Sequence, residues 1–116
     1  MATPISYLEL HTGDAAKAKA FYAELFGWKM SDVAIPGGVY TEIDRGEGIP
    51  GGMMQRREGW PGGWLAYVQV ASLDEGLRRA QALGGKLLQP RGEVPGEGWF
   101  AVVEDPGGVA IGLFER

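Results

Sequence analysis

The chain has no cysteine and only one histidine among its 116 residues. Without cysteine there is no disulfide, no thiolate nucleophile and no sulfur-liganded metal. With one histidine, a divalent site of three protein ligands would have to be completed by carboxylates. Positive charge is short as well: 11 Lys and Arg stand against 15 Asp and Glu, for a net charge of −4. That balance argues against nucleic acid as a partner and suits a cationic ligand better than a polyanion. No apolar run approaches the roughly 20 residues of a membrane-spanning helix. The opening Met1-Ala2-Thr3-Pro4-Ile5 lacks the basic and apolar regions of a secretion signal. The expectation is a soluble, cytoplasmic, single domain with neither a membrane nor a nucleic acid partner.

What the chain has in excess is glycine: 20 residues of 116, more than twice the average usage of roughly 7%. The glycines cluster between apolar periodic segments, which predicts tight turns and close backbone approaches. Asp14 opens a helix as its N-cap, Ala18, Phe21, Tyr22 and Leu25 recur at helical spacing, and Gly27 stops it. Phe21, Phe26 and Trp28 are expected to be core. Ser72-Leu73-Asp74-Glu75 is a capping box opening a second helix, with Leu73, Leu77, Ala80 and Leu83 as its buried stripe and Gly84-Gly85 as its end.

Strands fill the rest. Ile5 to Thr12 alternates with period two, so Leu8 and Leu10 take one face and Tyr7, Glu9 and His11 the other. Val39 to Asp44 reads as a strand, and Ile49 to Gln55 as a shorter one bent by its glycines. Arg56 to Gly63 reads as a mobile loop. Leu65 to Val70 puts Leu65, Tyr67 and Gln69 on one face. Lys86-Leu87-Leu88 begins a further strand, and Pro90 to Gly98 reads as a loop. Trp99 to Glu104 and Val109 to Phe114 flank Asp105-Pro106-Gly107-Gly108 as a closing hairpin.

The two halves repeat one order: strand, capped helix, glycine stop, strands. The helix ends at Gly27 and Gly84 are offset by 57 (84 − 27). The fold class expected is α+β, two βαβββ modules of about 1–57 and 62–116 sharing a curved mixed sheet, with helices on one face and a cavity on the other. Tyr7, Glu9, His11, Tyr40, Glu42, Tyr67 and Gln69 would line that cavity. Met53, Trp60, Trp64 and Trp99, in or beside the glycine-rich loops, would supply aromatic and soft apolar walls, with a subunit interface as the equal alternative for the tryptophans. His11 and Glu9 are candidates for a general base and its orienting carboxylate, though two residues apart on a strand places them around 7 Å from each other at the backbone; a hydrogen-bond donor in the cavity wall and a satisfied structural histidine are the other readings of His11.

Other patterns carry no chemistry. Gly46-x-Gly48-x-x-Gly51 matches a dinucleotide fingerprint literally, but no helix follows it. Gly85-Lys86 lacks the rest of a phosphate loop. Arg56-Arg57 and Arg78-Arg79 read as solvated pairs, and Ser6, Ser31 and Ser72 lie in no nucleophile elbow.

Three motifs together resemble the vicinal oxygen chelate superfamily. They are Asp14…Ala20-Phe21-Tyr22…Leu25-Phe26-Gly27-Trp28, Ala82-Leu83-Gly84-Gly85, and Glu104-Asp105-Pro106-Gly107-Gly108…Ile111-Gly112-Leu113. That superfamily includes glyoxalases, extradiol dioxygenases and bleomycin resistance proteins, and the small lactoylglutathione-lyase-related proteins are the nearest subgroup. The resemblance implies the paired-module fold, a small organic ligand and a homodimer. It also implies a divalent metal held by His and Glu, at positions that here fall on Tyr7, on Gly52 or Met53, on Leu65 and on Gly112. None of those can serve as a His or carboxylate ligand, so no cofactor and no metal are expected. The leading expectation is a metal-free small-molecule-binding protein. The alternatives are a lyase or dioxygenase with a displaced divalent site built from Glu9, His11 and Glu42, and a non-enzymatic dimeric accessory module.

Overall fold

A computed structural model describes residues 2–116. The chain divides into two compact units: Tyr7–Leu65, and Ala66–Arg116 together with the residues before Tyr7. The division lies a few residues beyond the expected 57–62 boundary. The opening of the first strand sides with the second unit, where the Gln69 N–H donates to the Pro4 carbonyl at 2.9 Å.

The first unit takes β1 (Ile5–Thr12), α1 (Ala15–Phe26), β2 (Lys29–Ile35), β3 (Gly38–Asp44) and β4 (Gly51–Gln55). Its strand order is β2-β3-β4-β1. β1 pairs with β4 in parallel and the other pairings are antiparallel. The second unit repeats the plan with β5 (Gly63–Gln69), α2 (Leu73–Ala82), β6 (Lys86–Val94), β7 (Gly98–Glu104) and β8 (Ala110–Glu115). Its order is β5-β8-β7-β6, again with one parallel pair, β5 with β8. The fold is α+β, with a βαβββ plan in each half. Among the described residues no helix is long and apolar enough to cross a membrane.

The helix ends follow local chemistry. Asp14 accepts from the Lys17 N–H at 3.0 Å, and Gly27 closes α1 in the left-handed region at φ 71°. Ser72 accepts from the Glu75 N–H at 3.2 Å. The Glu75 carboxylate turns to Arg78, so the expected capping box is made on the serine side.

The core of the first unit is Leu10, Ile43 and Met53, packed against Ala18, Tyr22, Trp28 and Met30. The second unit buries Leu73, Ala101, Val103 and Leu113 against Val70, Leu77, Ala80, Trp99 and Ile111. α2 keeps its expected stripe at Leu73, Leu77 and Ala80, whereas of the stripe expected on α1 only Ala18 and Tyr22 pack against the core. Phe21, Leu25 and Phe26 are 58%, 57% and 55% exposed, and Leu83 is 69% exposed. The Tyr22 ring stacks on Phe26 and Trp28 and meets Trp64 edge-on. An apolar residue one position off that line turns toward solvent, which corrects the core assignment of Phe21 and Phe26.

β6 also runs further than expected. It continues through Pro90 to Val94 across two register shifts. Proline withholds an amide donor, which a central strand cannot tolerate. β6 ends its unit's strand order, so the missing donor faces no neighbour.

Candidate functional site

The face of the first unit opposite its core carries a continuous row of polar side chains. Alternation on β1 puts Leu10 into the core, and Tyr7, Glu9 and His11 on the far side. On β3, Thr41 and Ile43 are buried, which turns Tyr40 and Glu42 to the same side as Glu9. Register then brings them together. Glu9 lies opposite Gly52, and Gly52 opposite Glu42.

Three hydrogen bonds link the row. The Tyr7 and Tyr40 hydroxyls are 2.7 Å apart, Tyr40 Oη donates to Glu9 Oε2 at 2.8 Å, and His11 Nε2 lies 2.8 Å from Glu9 Oε1. Their polarity follows from the carboxylate, which only accepts. Tyr40 gives its proton to Glu9, so Tyr7 gives its own to Tyr40, and His11 presents Nε2–H to Glu9. Glu9 therefore collects donors on both oxygens. Burial, followed by the charge of Glu9 and the neighbouring Tyr7, pushes the Tyr40 phenol far above its ordinary pKa of 10.0 and keeps it a donor. The Glu9–His11 pairing, expected to be loose from backbone spacing alone, is direct: the long glutamate side chain spans the gap.

His11 is 3% exposed. Its ring stacks on Trp60, with centroids 5.5 Å apart and planes 21° apart, and the Arg57 guanidinium lies 5.9 Å from the Trp60 centroid. Nδ1, the other ring nitrogen, is buried and has no hydrogen-bond partner among the described residues.

The remaining candidates are placed differently. Glu42 points to the right side but is exposed, and among the described residues no three His, Asp or Glu side chains gather. The displaced trio of Glu9, His11 and Glu42 is therefore not assembled. Met53 is 0% exposed in the core on the helix side, so it cannot wall a cavity on the other. Met54 takes that position, opposite both His11 and Tyr40. Trp64 sits with Tyr22 on the helix side, 44% exposed. In the second unit, Trp99 packs against the core beside α2 and is covered by Arg91, whose guanidinium lies 4.5 Å from its ring. Both tryptophans therefore stand on the helix faces of their units.

Tyr67 and Gln69 do lie on the far face of the second unit, opposite Gly112 and Phe114 in register. Phe100 and Phe114, which pair across β7 and β8, share this face, and Phe100 meets Tyr67 edge-on at 6.4 Å. Met54, Phe100 and Phe114 were readable only through strand phase. Val102 and Gly112 mark that phase on the closing hairpin, while the Gly51-Gly52 pair obscures it on β4.

Two of the positions at which the resemblance implies metal ligands, Gly52 in the first unit and Gly112 in the second, are each covered by a tyrosine ring. A Cβ added to Gly52 would stand 2.3 Å from the Tyr40 hydroxyl oxygen and 2.5 Å from its ring. A Cβ at Gly112 would stand 2.3 Å from Tyr67 Cδ1. Leu65 is apolar and 4% exposed. Tyr7 gives its proton to Tyr40. None of these residues offers the His or carboxylate donors with which a protein holds a divalent cation. A cleft of about 570 Å³ in the first unit is lined by His11 together with Phe21, Tyr22, Arg56 and Gly62.

Comparison with known proteins agrees with the folding plan. The sequence model of the Glyoxalase/Bleomycin resistance protein/Dioxygenase superfamily matches residues 5–113. The protein named "Putative glyoxylase CFP32" of Mycobacterium tuberculosis is 32% identical over 120 residues, covering 95% of this chain and 44% of that protein. The anthracycline biosynthesis protein DnrV of Streptomyces peucetius is 28% identical over 127 residues, covering 96% of this chain and 46% of that protein. The chain thus spans a little under half the length of these curated relatives. A superfamily member from Vibrio splendidus 12B01 has the same fold, with a TM-score of 0.69 at 13% identity over 99% of this chain and 100% of that one. With a match running from β1 to β8 and a βαβββ plan in each half, the chain belongs to the glyoxalase/bleomycin resistance protein/dioxygenase superfamily.

Proposed function

We propose that this chain binds a small organic molecule on the polar face of its first unit, and does so without a divalent metal. The observation that carries the reading is the hydrogen-bonded row Tyr7–Tyr40–Glu9–His11. A buried network in which one carboxylate collects donors on both oxygens holds its members in one fixed arrangement. Here it aims an imidazole whose second nitrogen is unserved. Trp60 adds a flat apolar neighbour of the kind that lines small-molecule sites. The glycines under Tyr40 and Tyr67 support metal independence, because the side chains that would reach for a cation have no room while the rings stay. The names of the relatives, a glyoxylase and an anthracycline biosynthesis protein, both concern small organic molecules.

Tryptophan fluorescence, titrated with cationic glycopeptides and aromatic metabolites in the presence of EDTA, tests the proposal. A saturable change that EDTA leaves intact is expected. Silence across the panel, or binding only after Mn, Fe, Ni, Zn or Co is added, would overturn it.

A second reading concerns assembly. Phe21, Leu25 and Phe26 form an exposed apolar strip on α1, and such strips mark association surfaces. Homodimerisation through α1 is the corresponding proposal. Sedimentation of the wild type against Phe21→Ser/Leu25→Ser tests it: a dimer that persists in the double variant would refute the α1 surface.

A further inference from the structure

The single histidine of this chain is buried, held at one nitrogen and empty-handed at the other. The bonding pattern around it leaves little freedom. Glu9 already receives a proton from Tyr40 on Oε2, and on Oε1 it faces His11 Nε2 at 2.8 Å. A carboxylate cannot donate, so the proton of that contact belongs to Nε2. The neutral ring then has a bare lone pair at Nδ1 and can only accept there. Buried polar atoms are nearly always paired, and an exception calls for a partner missing from the protein itself.

The surroundings say what kind of partner. One face of the imidazole already stacks on a flat ring, Trp60. Trp60 lies on the loop between β4 and β5. Gly59 just before it and Gly63 at the start of β5 have φ of 81° and 97°, left-handed conformations that favour glycine.

Building on the small-molecule reading above, we propose that His11 Nδ1 is the acceptor for a hydroxyl or N–H group carried by an aromatic ring that packs beside Trp60. The ligand class narrows to aromatic alcohols and aromatic N–H compounds. An ether or ester in the same place would set an acceptor against an acceptor. Glu9 is the positioning residue: it fixes the tautomer and never touches the ligand. Tyr40 and Tyr7 hold Glu9 in turn.

Because the chain has one histidine, nitrogen NMR of protein labelled with ¹⁵N-histidine reads this site alone. In the free protein, Nε2 should show the protonated, pyrrole-like signal and Nδ1 the bare, pyridine-like one. 1-Naphthol and its methyl ether, 1-methoxynaphthalene, are the probes. Naphthol should move the Nδ1 signal saturably and change tryptophan fluorescence, and the ether should bind about tenfold more weakly, as befits a lost hydrogen bond to an otherwise unpaired buried acceptor. Glu9→Gln should lose the fixed tautomer and with it most of that discrimination, with circular dichroism confirming the fold. A proton on Nδ1 in the free protein would overturn the assignment. So would equal affinity for the two probes, or a fluorescence change with a silent Nδ1, as a buried water would give. Those outcomes leave the small-molecule reading standing. If neither probe nor any aromatic metabolite changes the fluorescence, the small-molecule reading falls and takes this inference with it.

Discussion

Tyr40 lies flat across Gly52, close enough that a Cβ on the glycine would meet its hydroxyl oxygen at 2.3 Å. From there its hydroxyl reaches Glu9, so a side chain at position 52 would push the ring out of the polar row.

Gly52→Ala should therefore destabilise the protein by about 1–3 kcal/mol, the cost typical of overpacking. In a Tyr40→Ala background the same substitution should cost much less, because the obstacle is gone. Urea midpoints of the four proteins give the coupling directly. Additive effects would show that the ring and the glycine are independent.

Tyr40→Phe removes the donor to Glu9 and the acceptor for Tyr7 together. The expected loss is about 1–3 kcal/mol for leaving buried polar atoms less than satisfied. The alkaline limb should change too. A phenol whose folded pKa is raised contributes stability that is complete below its unfolded value of 10.0 and is lost as pH climbs above it. Thermal unfolding followed above pH 10 should fall more steeply in the wild type than in Tyr40→Phe.

At the other end of the scale, Asp32 is held below its usual 3.8, first by the Lys19 ammonium bonded to it and then by the Thr41 hydroxyl. A depressed carboxyl contributes stability above its unfolded pKa and loses it as pH falls through the folded one. Asp32→Asn should consequently flatten the acid limb of the stability curve below about pH 4. An unchanged acid limb would show that solvent screens this exposed pair completely.

Adjacent methionines should behave very differently. Met53 is fully buried among Leu10 and Ile43, and Met53→Ala should cost about 2–5 kcal/mol. Met54, on the polar side of the same strand, should cost under about 1 kcal/mol. Comparable losses in denaturant titrations would place both in one core.

The sequence could be read where structure is decided locally. Asp14, Gly27, Ser72 and Gly84 mark the helix limits because capping depends on a few neighbouring backbone groups. It failed where a longer-range fact decides. Period alone could not say that Tyr22 rather than Phe21 faces the sheet, since both lie on one wide apolar arc of α1. Pro90 read as a break because its tolerance depends on β6 lying at the end of the strand order. The Gly51-Gly52 pair gave no apolar phase, so Met53 and Met54 were exchanged. The members of the polar row were named from strand alternation, but the 2.8 Å contacts between them depend on how far a glutamate can reach.

Pro90 and the two register shifts of β6 carry one more consequence. A strand that withholds an amide and changes its spacing along its length is a poor template for an incoming backbone. β2, at the head of the other unit's order, has neither proline nor bulge in its pairing with β3. Should this protein ever polymerise through its sheets, growth would start from the Lys29–Ile35 rim and would stall at Pro90.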